Sequence, residues 1–168
     1  MIKKILVPLD GSKLAEQILP QVEEMAKGLQ AEVILITIGS LLWAVPASES
    51  GLRSAEEFAA QKKIEAEKKL AEVGEALKVR GLKVSYVYRE SFASAAQEII
   101  FYAENNGCDL IAMATHGKGE VAWVLGSVAE KVVSHATVPV HLLRVIEKKS
   151  PIRKREDFVG RGEVTLGS

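Results

Sequence analysis

Short, strongly apolar runs alternate along this chain with stretches whose apolar residues recur at helical spacing. That alternation limits the fold more than any other feature. The runs are ILVPL at Ile5–Leu9, EVILITI at Glu32–Ile38, KVSYVYR at Lys83–Arg89, DLIAMAT at Asp109–Thr115 and VPVHLLRV at Val138–Val145. Most are apolar at consecutive positions, which suits strands buried on both faces, whereas Lys83–Arg89 alternates and reads as nearer an edge. Strands alternating with helices build βαβ units, so the expected fold class is α/β: a parallel sheet with helices on both faces. The length, 168 residues, favours one domain.

The segments between the runs carry helix signals. Ala15, Ile18, Leu19, Val22, Met25, Ala26 and Leu29 share one helical face; Ser12 is an N-cap candidate, Gly28 lies near the end, and Pro20 predicts a kink or a late start. Ala55–Arg80 is a charged helical stretch with an apolar stripe of Ala59, Ala66, Leu70, Val73 and Leu77, ended by Gly81. Its charges read as a solvated face, with Glu65 and Lys69 as an i,i+4 pair. Ser94 with Gln97, and Ser127 with Glu130, match capping boxes opening two further helices. Gly39–Leu52 reads as a loop with an apolar centre, Leu41-Leu42-Trp43-Ala44-Val45, which either packs on a helix or meets a partner.

Charge and cysteine content exclude several functions. Basic and acidic residues number 22 each, which argues against a dedicated nucleic-acid binder. The lone Cys108 cannot form an internal disulfide or a CxxC pair, and reads as a small apolar residue. The apolar run after Lys3 and Lys4 is too short for a signal peptide, and no stretch approaches the length of a membrane span, so no membrane partner and a cytoplasmic location are expected. The expected organisation is a domain over residues 1–147 and a C-terminal tail over 148–168. The tail is more basic than acidic and is read as flexible or as a docking segment.

In an open parallel sheet, ligands sit beyond the carboxyl ends of the strands. That directs attention to Asp10-Gly11-Ser12, Ile38-Gly39-Ser40 and the segment from Met113 to Ser127. There Ala114-Thr115-His116-Gly117 is followed, after eight residues, by Gly126-Ser127-Val128. Glycines let backbone N–H groups approach a ligand, and a new helix adds unpaired donors and a positive dipole end, which together suit phosphate oxygens. Asp10 could accept from a ribose hydroxyl or help hold a metal carried by phosphates. The pattern alone leaves open a second reading, in which the glycines serve only the turn. No Walker A motif occurs, and the dinucleotide pattern lacks its third glycine, with Ala122 in that place.

ILVPLDGS at Ile5–Ser12, Ala15-Glu16 with Leu19-Pro20, DLIAMATHG at Asp109–Gly117, LGSVAEKVV at Leu125–Val133 and VPVHLLRV at Val138–Val145 together resemble the universal stress protein family, over about residues 1–147. The resemblance implies a three-layer, five-stranded parallel sheet in the order 3-2-1-4-5, of the adenine-nucleotide alpha-hydrolase-like kind. It also implies a homodimer through Val138–Val145 and ATP or another adenine nucleotide, with Mg2+, as ligand. By the same resemblance Asp10 meets the ribose or, indirectly, the metal; Pro8, Ile38 and Met113 border adenine; and His116, Gly117, Gly126, Ser127 and Val128 face ribose and phosphates. The family's glycine pattern is Gly, two residues, Gly, nine residues, Gly-[Ser/Thr]. Here Ala114 stands at its first glycine and the later spacing is one residue short, so Ala114 is the site residue whose methyl could crowd the ribose.

Transfer or hydrolysis needs a base or water-positioning group near the γ-phosphate. Of His116, His135 and His141, only His116 falls at the strand-end loops, and no nucleophile elbow or His/Cys metal spacing occurs. The expectation is therefore a stress-response regulator that binds ATP and hydrolyses it slowly at most. Two alternatives stand beside it: a nucleotide-independent scaffold acting through its dimer surface, Trp43 and the tail, and an ATP-using transferase of related topology.

Overall fold

The computed structural model describes residues 1–40, 49–116 and 125–145, with residues 40 and 49–56 described by backbone alone. The Trp43 loop, Gly117, Lys118 and the C-terminal tail lie outside the described residues. The elements in chain order are β1 (Lys4–Pro8), α1 (Lys13–Glu16), α2 (Leu19–Leu29), β2 (Glu32–Ser40), α3 (Glu49–Val79), β3 (Val84–Ser91), α4 (Ala95–Asn105), β4 (Leu110–Ala114), α5 (Ser127–His135) and β5 (Val140–Leu143).

The strands pair in the order β3-β2-β1-β4-β5, every pair parallel. β1 is the central strand, and its Ile5, Leu6 and Val7 have no exposed surface because both of its faces are covered. The pleat sends alternate side chains to opposite faces. Ile5 and Val7 join a core with Val22, Leu35, Leu70 and Leu77 under α2 and α3. Leu6 joins Ile36, Ile99, Ile111 and Val132 under α4 and α5. Cys108 is buried there, and the loss of water pushes its thiol pKa up, in keeping with an apolar role.

Several local expectations are refined. Pro20 does mark a late start: the chain makes a one-turn helix, breaks at Gln17–Ile18, and α2 begins with Pro20 in its first turn, where a missing N–H costs nothing. α2 ends past Gly28, at Gln30, which takes the left-handed conformation (φ 54°). β2 runs on through Gly39 and Ser40, past the expected strand end at Ile38, because β3 pairs with it out to Ser91. α3 starts at Glu49, before the expected Ala55.

The pairing of Glu65 with Lys69 is replaced. Lys62 reaches Glu65 at 3.0 Å, while Lys69 turns across the helix–helix gap to Glu16 at 3.2 Å and to the Gly11 carbonyl. A half-buried carboxylate and an open carbonyl offer Lys69 more than a solvated neighbour on its own helix. The Ser94–Gln97 capping box forms with both of its reciprocal bonds. The second box does not form: Gly126, not Ser127, is the N-cap of α5, and no side chain caps it. The Gly126 carbonyl takes the Glu130 N–H at 2.8 Å, which places Ser127 inside the first turn.

Candidate functional site

The exits of β1 and β4 lie side by side at the middle of the sheet, and each is fixed by hydrogen bonds. At β1, the Leu9 N–H donates to the Ile36 carbonyl (2.8 Å) and the Thr37 hydroxyl donates to the Leu9 carbonyl (2.7 Å). The chain then turns on Gly11, at φ +76°, a conformation glycine adopts without strain. Asp10 Oδ1 accepts the Ser12 N–H at 2.8 Å, so the turn itself holds this exposed carboxylate at the strand end.

At β4, the Thr115 N–H donates to the Leu143 carbonyl (2.8 Å), and the Thr115 carbonyl accepts the Gly126 N–H (2.9 Å). The second bond ties the start of α5 to the end of β4. It also engages the Gly126 amide, so Gly126, expected to face ribose and phosphates, has its N–H turned to the protein backbone. The amides left without an intrahelical carbonyl by helix geometry are those of residues 127–129.

Between these exits lies a cavity of about 210 Å3. Pro8, Asp10, Ile38, Met113, Ala114, His116 and Val128 line it, which brings together seven of the ten expected site residues. Gly126 and Ser127 stand at the adjoining helix start, and Gly117 lies outside the described residues. Ala114 forms part of the wall and leaves the cavity open. Its backbone is ordinary strand: among the described residues Gln30 is the only non-glycine with positive φ, so the alanine carries no left-handed strain.

Sequence reasoning missed two features. Ile99 and Ala95 of α4 close the wall opposite β4; the inward face of α4 was legible, but not the strand ends it would cover. Thr115 was missed as well, although a polar residue closing an apolar run was a signal.

A larger cavity, about 470 Å3, opens on the other face between α3 and the ends of β1, β2 and β3, and shares Leu9, Asp10 and Ile38 with the first. Its rim carries Asp10, Glu16, Glu65 and Glu90 against Lys62 and Lys69, and both lysines are already paired with carboxylates. That charge disfavours an anion. The smaller cavity has one carboxylate, one histidine and the positive end of α5, and is the better phosphate site. Among the described residues no group of three or more His, Cys, Asp or Glu could hold a metal ion, and Asp10 is the one carboxylate on the wall of the smaller cavity.

A parallel sheet with helices on both faces and a crevice at its central strand ends belongs to the doubly wound α/β class, in which ligands bind beyond the strand carboxyl ends. Comparison with known proteins narrows it. The model of the universal stress protein family matches residues 1–144, and the chain belongs to that family. It is 32% identical to universal stress protein MJ0531 of Methanocaldococcus jannaschii over 150 residues, covering 89% of this chain and 86% of that one. It is 29% identical to universal stress protein YxiE of Bacillus subtilis, covering 86% of this chain and all of the other. The solved structure of the M. jannaschii protein MJ0577 superposes with a TM-score of 0.77 at 30% identity, covering 89% of this chain and 99% of that one. More distant structures of the same fold include a universal stress protein in complex with cAMP (TM-score 0.61) and one from Archaeoglobus fulgidus in complex with dAMP (TM-score 0.59), at 17% and 18% identity.

Proposed function

We propose that this protein binds an adenine nucleotide, ATP with Mg2+, in the crevice between β1, β4 and α5, and acts as a regulator in a stress response rather than as a turnover enzyme. The observation that carries this is the open cavity walled by Pro8, Ile38, Met113 and Ala114, with Asp10 at one side and the first turn of α5 at the other. The apolar walls suit a purine face, and the helix start suits phosphates. At about 210 Å3 the cavity is below the about 300–1,000 Å3 of a typical whole-ligand pocket, so it takes the base and sugar and leaves the phosphates at its mouth. The dAMP and cAMP complexes of related proteins support an adenine ligand. We place the protein in the cytoplasm and as a homodimer through β5, which is an edge strand of the sheet among the described residues.

Mass analysis of ligand released from purified protein, followed by calorimetric titration with ATP and Mg2+, tests the reading. Bound or titratable adenine nucleotide is expected. Ser127→Asp separates site from fold: an acidic side chain in the first turn favours α5 but repels phosphate, so affinity should fall about tenfold or more while stability holds. Unchanged ATP affinity in this variant, or multiple turnovers faster than ligand dissociation, would contradict the proposal. Sedimentation should give a dimer.

A further inference from the structure

The capping box of Ser94 and Gln97 fixes where α4 begins along the chain, but not how close the helix stands to the strand ends. That distance matters, because Ala95 and Ile99 of α4 close one wall of the crevice. Of the residues that α4 buries, Ala96 and Ala103 are small and offer little ridge to hold a sideways position. Contacts from β3 supply the hold.

Arg89 and Ser91 stand two residues apart on β3 and so face the same way. Arg89 lies opposite Ile38 of β2, a residue of the crevice wall. Its Nε donates to Glu98 Oε1 at 2.5 Å, and the Ser91 hydroxyl donates to Glu98 Oε2 at 3.2 Å. The Ser91 oxygen also accepts the Ala93 N–H at 3.0 Å, which ties the turn before α4 to the same carboxylate. One turn further along α4, the Tyr102 ring centre is 5.9 Å from Arg89 Cζ. Glu98 is thus held at both oxygens, with 12% of its side chain exposed. A carboxylate so far out of water is costly without such donors, so α4 is most stable where Glu98 meets both. Ala95, Glu98, Ile99 and Tyr102 are neighbours on the helix surface at three- and four-residue spacing. Fixing Glu98 and Tyr102 therefore fixes Ala95 and Ile99.

We propose that Arg89 and Glu98, with Ser91, are positioning residues that set the width of the crevice by holding α4 against the end of β3. All three stand behind the cavity wall and act through it. A slot of set width suits a flat ring, so the purpose of the clamp rests on the nucleotide reading; the hold on α4 does not.

Calorimetric titration of the full-length protein with ATP and with adenosine tests it. Arg89→Met and Glu98→Ala should each weaken both ligands about tenfold, and Arg89→Lys, which keeps the cation, by about threefold or less. These variants separate position from charge: by charge alone, losing a carboxylate would tighten ATP, and losing a cation would spare uncharged adenosine. Arg80→Met is the control. It breaks an ion pair with Glu23 of α2, at 2.8 Å, and should leave both affinities unchanged. Tighter ATP binding by Glu98→Ala, unchanged adenosine binding by Arg89→Met, or an equal loss in Arg80→Met overturns the proposal. Should either clamp variant fail to fold, Ser91→Ala, which removes one donor to Glu98, decides in its place: both ligands must weaken, and unchanged affinities overturn the proposal. In nucleotide-free protein the Ile99 methyl signals should shift in Arg89→Met and in Ser91→Ala but not in Arg80→Met, and signals unmoved in the first two overturn the hold on α4. Absence of ATP and adenosine binding by wild type would overturn the functional reading and leave the methyl signals to decide the clamp.

Discussion

A β-carbon placed on Gly39 would lie 1.9 Å from the Tyr88 hydroxyl and 2.6 Å from Cζ. The tyrosine of β3 thus packs across the bare backbone at the end of β2, next to Ile38 of the crevice wall. Gly39→Ala should destabilise the protein by about 1–3 kcal/mol in urea unfolding, and the cost should largely vanish in a Tyr88→Ala background, since the two residues share one space. Asp109 makes a second residue-scale prediction. Its Oδ2 accepts the Lys3 and Lys4 N–H groups at 2.8 and 3.0 Å, and these bonds hold its pKa below the usual carboxylate value of 3.8. A lowered folded pKa means that the unfolded chain binds more protons in that window, so this contribution is complete above pH about 4 and is lost as pH falls through the folded value. Asp109→Asn should flatten that part of the acid-unfolding curve. The place of Asp109 at the start of a strand was legible from sequence. Its grip on the β1 backbone was not, because Lys3 and Asp109 lie more than a hundred residues apart in sequence.

At the scale of elements, the caps show how far local reading carries. Ser94 and Gln97 satisfy each other's orphan backbone donors through bonds that span three residues, so the sequence alone identified them. Ser127 and Glu130 have the same spelling, yet Gly126 is the cap because its amide is drawn to the Thr115 carbonyl across the β4–α5 gap. Ser94→Ala should therefore cost about 1 kcal/mol in thermal unfolding, whereas Ser127→Ala removes no cap. Lys69 teaches the same lesson: i,i+4 spacing pointed to Glu65, and the packing of α3 beside α1 redirected it to Glu16 and Gly11. Lys69→Met should loosen the Asp10-Gly11 turn, and with it ATP affinity, more than Lys62→Met, whose partner Glu65 is on its own helix.

For the whole molecule, a ligand held by the folded chain alone must stabilise it. At a hundredfold excess over Kd, ATP with Mg2+ should add about 2.7 kcal/mol, read as a raised Tm, and the gain should shrink in Ser127→Asp. The sequence by itself determined the class of architecture, the order of its elements and the strand ends where a ligand belongs, because hydrophobic periodicity and right-handed βαβ crossovers act through neighbours in the chain. Motifs at those strand ends, with the family resemblance they carry, also identified half of the residues that wall the crevice. Only the tertiary structure decided which amides are spent and which polar atoms meet. The Gly126 amide, the turn of Lys69 toward Glu16, and the chain from Val145 through Thr115 to His116 all join residues far apart in sequence. A buried hydrogen bond is chosen by whatever partner packing brings within reach, and no spacing along one strand encodes that.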